Sequence, residues 1–103
     1  MKLSRKERKL KAVEDRIKIT ENVLFIMVLF IYRTHVSFEK GVSCLEKNKE
    51  TYIEELAKSY SEKADVYRSV AREIFSKKIL RTEVFKETYL DYVNSYENRE
   101  GAT

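Results

Sequence analysis

An all-α fold is predicted for this chain by three observations. Its 103 residues contain no proline and only two glycines, Gly41 and Gly101, which is too little turn chemistry for a strand-rich protein. Apolar residues recur at helical spacing over long stretches. Charged residues make up 37% of the chain, against ~25% in an ordinary globular domain, which suits helices with wet outer faces. The expected architecture is a long helical hairpin, about 4–40 and 44–76, with a third helix over about 82–97. It would pack as a three-helix bundle or a coiled-coil-like assembly, monomeric or dimeric. At this length the chain is one domain with a modest core.

The first helix opens on a capping box. Ser4-Arg5-Lys6-Glu7 places a serine hydroxyl where it accepts from the amide of Glu7, with Glu7 able to reach back. A heptad follows, with Leu3, Leu10, Ile17, Leu24, Ile31 and Phe38 at one position and Val13 and Met27 at its companion, where Lys6, Thr20 and Thr34 are the polar members. Glu7–Lys11 and Glu14–Lys18 are i,i+4 pairs in the favourable order. At Val23 the pattern changes. Residues 23–32 read Val-Leu-Phe-Ile-Met-Val-Leu-Phe-Ile-Tyr, apolar or aromatic throughout. A helix apolar on every side must be covered on every side, so at least two neighbours are expected here. A buried strand is disfavoured because helical periodicity runs into the segment and no second such run exists to pair with it.

Gly41, followed by the box Ser43-Cys44-Leu45-Glu46, predicts the turn between the first two helices. Thr51-Tyr52-Ile53-Glu54 offers a later start. The second helix carries a seam of Ile53, Leu56, Tyr60, Tyr67, Val70 and Ile74, with Lys63 as its gap. The seam lapses at Ser76-Lys77-Lys78 and Arg81-Thr82, then resumes as Phe85, Tyr89, Tyr92 and Tyr96. A break near 76–82, with Thr82 capping a third helix, is favoured over a continuous helix of ~80 Å. Residues 98–103 are expected to form a frayed tail.

Few residues suggest chemistry. Glycine-rich phosphate loops, G-x-S-x-G, H-E-x-x-H and C-x-x-C are all missing from the sequence. Cys44 and His35 flank the expected turn, and His35 and Glu39 are spaced i,i+4. One histidine cannot supply a di-iron bundle, however, and paired carboxylates such as Glu54-Glu55 or Glu83 and Glu87 sit in charge-rich stretches that read as solvated faces. The expectation is a non-enzymatic protein with no cofactor, no metal and no small-molecule substrate. No signal-peptide pattern precedes Val23, and the longest uncharged run, residues 22–32, is short of the ~20 residues of a membrane span. Together with a single cysteine this makes the expected location intracellular.

The charge is localised. The chain carries a net +4, yet residues 1–18 hold eight basic and three acidic side chains, so a basic arm is joined to a near-neutral body. The preferred function is an interaction or regulatory protein that self-associates or binds a protein partner through apolar helix seams. Leu24, Met27, Phe30 and Ile31 are candidate interface residues, and so is the tyrosine stripe of Tyr89, Tyr92 and Tyr96. The first alternative is nucleic-acid binding by Arg5, Lys6, Arg8, Lys9 and Lys11, weakened by the interleaved acids and by the lack of aromatics for stacking. The second is a peripheral membrane protein using the arm together with residues 23–32.

Overall fold

The computed structural model describes residues 4–34 and 37–101, with side chains through Glu97. The described residues form five α-helices and no strand.

Helix α1, Arg5–Arg33, starts where the capping box predicts: the Glu7 amide donates to Ser4 Oγ at 3.1 Å. Its 29 residues span ~44 Å at ~1.5 Å per residue. The i,i+4 pairs read from the sequence, Glu7–Lys11 and Glu14–Lys18, are not among the ion pairs formed by the described residues.

The expected end of the first helix near residue 40 and the turn at Gly41 are both corrected. Helix α1 stops at Thr34, and a separate helix α2, Phe38–Lys47, begins after Ser37, whose Oγ accepts from the Lys40 amide at 3.3 Å. Gly41 lies inside α2 with φ negative, so it is not needed for a left-handed turn. Its role is close approach. A Cβ at position 41 would sit 2.6 Å from Ile31 Cγ2 and 3.2 Å from both Ile31 Cβ and Cγ1. The box at Ser43–Glu46 is likewise interior to α2, and Glu46 turns outward to pair with Arg81.

The helix expected over 44–76 is divided into three segments. Helix α2 ends at Asn48, whose Nδ2 donates to the Cys44 carbonyl at 3.0 Å and so satisfies a helix-end acceptor. Helix α3, Lys49–Ser59, follows at once, ahead of the Thr51 box. A bend at Tyr60 and a 3-10 turn, Ser61–Lys63, then lead into helix α4, Ala64–Ser76. The gap at Lys63 in the apolar seam marks this turn. Tyr60 and Tyr67 stack across it with ring centroids 4.1 Å apart and planes 3° apart. Arg68 clasps Glu54 through Nε at 3.0 Å and Nη2 at 3.1 Å, tying α4 back to α3.

The break expected near 76–82 is present. Lys78 adopts a left-handed conformation (φ 55°, ψ 36°), and a 3-10 turn, Ile79–Arg81, brings the chain to Thr82. Thr82 Oγ1 accepts from the Phe85 amide at 3.3 Å and opens helix α5, Glu83–Gly101.

These helices pack around the C-terminal half of α1, but the all-round cover that the sequence predicts is incomplete: Phe25 stays 47% exposed. Val23, Met27, Val28 and Ile31 have no exposed surface, and with Val42, Leu45, Ile53, Val70, Ile74 and Leu80 they make up the centre of the core. Phe30, Tyr52 and Phe75 form an edge-on aromatic row at its margin. The Tyr52 hydroxyl is buried there with no hydrogen-bond partner among the described residues, and burial pushes its pKa far above the ordinary tyrosine value.

Two expected outcomes follow from this packing. Gly41→Ala destabilises the fold by about 1–2 kcal/mol, because the overlap with an immobile β-branched side chain outweighs the gain in helix propensity. The same substitution in an Ile31→Ala background loses that penalty, which a double-mutant cycle by chemical denaturation would measure. Tyr52→Phe stabilises the fold by about 1 kcal/mol, because it removes a buried hydroxyl with no partner. A lower denaturation midpoint for this variant would contradict that assignment.

Candidate interaction surface

The first half of α1 has a different environment from the second. Every residue from Ser4 to Lys18 is exposed. Within this arm Leu10, Val13 and Ile17 are 61%, 56% and 52% exposed. They are spaced 3 and 4 residues apart and therefore lie along one side of the helix. Scattered surface leucines are normal, but an ordered row of three large aliphatic side chains on a projecting helix is the pattern of an unfilled contact face.

The row ends in a shallow groove of about 230 Å³ between α1 and α4, walled by Val13, Ile17 and Thr20 on one side and Val70, Ile74 and Ile79 on the other. Its rim is polar. Arg16 Nη2 donates to Glu73 Oε2 at 2.8 Å, and Lys77 Nζ donates to Glu73 Oε1 at 2.8 Å. Deeper along α1, Asn22 Nδ2 donates to the Tyr67 hydroxyl at 2.9 Å. The arm is thus fastened to α4 at its base while its N-terminal turns stand clear.

The basic residues Arg5, Lys6, Arg8, Lys9 and Lys11 all lie on this arm and are exposed. At about 100° per residue they spread around more than half of the helix circumference rather than forming a stripe. Arg5, Lys9 and Arg16 do align, but Arg16 is engaged with Glu73.

The candidate interface residues are divided by the fold. Met27 and Ile31 are fully covered by the chain's own helices, and Leu24 and Phe30 are half-buried against the same core. The tyrosine stripe faces α1 and α2: Tyr89 packs on Phe38, Tyr92 edges onto Phe25 and Tyr32, and Tyr96 edges onto Tyr32 while remaining 38% exposed. Phe25, 47% exposed, is the outward end of that cluster. The exposed row Leu10, Val13 and Ile17 shares its heptad positions with Leu24, Met27 and Ile31, yet only the second set, with Phe30, is expected from the sequence to form the interface. The signal that separates them is the charged flanks of the first set and the apolar flanks of the second.

Among the described residues no group of three or more His, Cys, Asp or Glu is arranged to hold a metal. The pairings proposed for His35, with Cys44 and with Glu39, lie outside the described residues, as does Leu3. Among the described residues no single helix is long and apolar enough to cross a membrane. No protein family, curated protein or solved structure matches the chain.

The fastening at Glu73 has a pH signature. Hydrogen bonds from Lys77 and then Arg16 hold its carboxyl below the ordinary glutamate value. A depressed carboxylate contributes stability above its unfolded pKa, and that contribution is lost as pH falls through the folded pKa. The arm-to-α4 pair should therefore persist until below the usual glutamate range. In Arg16→Ala the Glu73 titration, followed by carboxyl NMR, should move part of the way back up. An unmoved midpoint would mean that Arg16 does not engage Glu73 in solution.

Proposed function

We propose that this chain is a non-enzymatic helical interaction protein whose binding element is the exposed apolar row of α1, by which it self-associates or docks on a protein partner. The exposure of Leu10, Val13 and Ile17 on a helix anchored at its base carries this reading. Helix-on-helix recognition uses anchors at i, i+3 and i+7, and these three residues have that spacing. The remaining helices form a bundle-like platform that holds the arm out. Arg5, Lys6, Arg8, Lys9 and Lys11 surround the row with positive charge, interleaved with Glu7 and Glu14.

A photo-crosslinking residue placed at Val13 tests this, with the same residue at Asp15 on another side of the helix as control. Adducts to protein from position 13 and not from 15, lost when Leu10→Asp and Ile17→Asp are added, are the expected result. The double variant should keep its helicity, with a small loss of thermal stability because Ile17 also borders the groove against α4. Adducts to nucleic acid from both positions, with binding that weakens steeply with salt, would overturn the reading in favour of phosphate recognition by the arm. Co-sedimentation with anionic vesicles, also lost in the double variant, would overturn it in favour of a membrane surface.

A further inference from the structure

The charges beside the exposed row specify what covers it. With Leu10 and Ile17 at heptad position a and Val13 at d, position g is held by Lys9 and Arg16 and position e by Glu14 and Glu21. All four are exposed. In a parallel two-stranded coiled coil, each g residue faces the e residue five positions further along the other helix. Lys9 then faces Glu14 of the other helix and Arg16 faces Glu21, so every such pair is between opposite charges. One heptad earlier, Lys2 and Glu7 fit the same rule in sequence, although Lys2 lies outside the described residues. In an antiparallel pair g would face g and e would face e, setting lysine and arginine against each other and glutamate against glutamate.

From this pattern we infer that the occupant of the α1 face is a second copy of this chain, docked parallel and in register. The inference rests on the reading of α1 as a protein-binding element and names its partner. The pattern stops where the exposed row stops. The next g and e residues are Val23 and Val28, both fully buried in the chain's own core. Below Thr20 the heptad is used for folding; above it Val13 and Ile17 border the groove against Val70, Ile74 and Ile79 yet keep more than half of their surface in solvent, and that open side is what the second copy covers. Lys9, Glu14 and Glu21 enter none of the ion pairs of the described residues, so their charge is available to the other helix. In the pair Arg16 exchanges Glu73 for Glu21 of the second copy, while Lys77 retains Glu73 and Asn22 keeps the arm anchored to Tyr67. The polar residues Lys6 and Thr20 at d cost affinity and hold the register. The pair is therefore a weak dimer that dissociates on dilution.

The test uses the full chain. Sedimentation of the wild type across a dilution series should show a monomer–dimer equilibrium. Lys9→Glu alone sets glutamate against Glu14, and Glu14→Lys alone sets lysine against Lys9, so each variant should shift to monomer with unchanged helicity. An equimolar mixture of the two restores both opposite-charge pairs and should restore the dimer. In a Cys44→Ser background, Leu10→Cys and Ile17→Cys should each form a disulfide with its own kind, because a-layer residues of a parallel pair meet their counterparts. A wild type that stays monomeric throughout would overturn the inference. So would Leu10→Cys linking to Ile17→Cys in preference to itself, since that marks an antiparallel pair. A monomeric wild type whose Val13 crosslinks to a different protein would overturn the second copy and leave the broader reading of α1 intact.

Discussion

The fold depends on one constraint: the segment from Val23 to Tyr32 is apolar on every side of its helix. Leaving such a segment in water is costly, so the chain must supply neighbours on most of its sides. Helices α2, α4 and α5 cover most of it: Val23, Met27, Val28 and Ile31 lose all contact with solvent, Leu24, Ile26, Leu29, Phe30 and Tyr32 are half-buried, and Phe25 stays 47% exposed. Burial of a side chain of this size is worth roughly 1.5–3 kcal/mol. These few residues therefore outweigh any single cap, ion pair or turn elsewhere in the molecule. Gly41 contributes to the same enclosure, since its missing side chain lets α2 settle directly on Ile31.

Enclosure dictates the short helices. A chain of this length cannot surround one helix with another as long as itself, so the remainder is cut at Asn48, at Tyr60–Lys63 and at Lys77–Thr82. Each cut has a local device that makes it tolerable: an asparagine side chain on the preceding carbonyl, a stacked tyrosine pair, and a left-handed lysine followed by a threonine cap. Exposed ion pairs then link the segments, Arg68 to Glu54 across α3 and α4, and Arg81 to Glu46 across the last turn and α2. Such pairs add little stability individually. Their geometry aligns elements whose packing is already set by the core.

Helix α1 consequently serves two purposes along one heptad. From Ile19 onward its apolar residues, Phe25 apart, are mostly taken up by the chain's own helices. From Arg5 to Lys18 the helix carries the same repeat into solvent, fastened at its base by Arg16 and Asn22. The basic excess of the sequence lies along this exposed length, which joins the charge and the apolar row in a single element. The tyrosines of α5, by contrast, are largely absorbed into packing against Phe25, Tyr32 and Phe38. They fill the side of α1 that α2 and α4 leave open.

The sequence by itself determined the all-helical class, the start of α1 at Ser4, the break before Thr82 and the packing of other helices on most sides of residues 23–32. Each of these follows from local chemistry: a capping hydroxyl, a lapse in apolar periodicity, or apolar side chains on all faces. It also contained the charge pattern that distinguishes Lys9, Glu14, Arg16 and Glu21 from Val23 and Val28, although that pattern acquires meaning only once exposure is known. The tertiary structure alone decided that Gly41 serves close packing rather than a turn, and that Met27 and Ile31 are core while Leu10, Val13 and Ile17 remain exposed. The same heptad spacing is compatible with both fates. Which one a residue meets depends on how far along α1 the other four helices can reach, and that is a property of the folded chain as a whole.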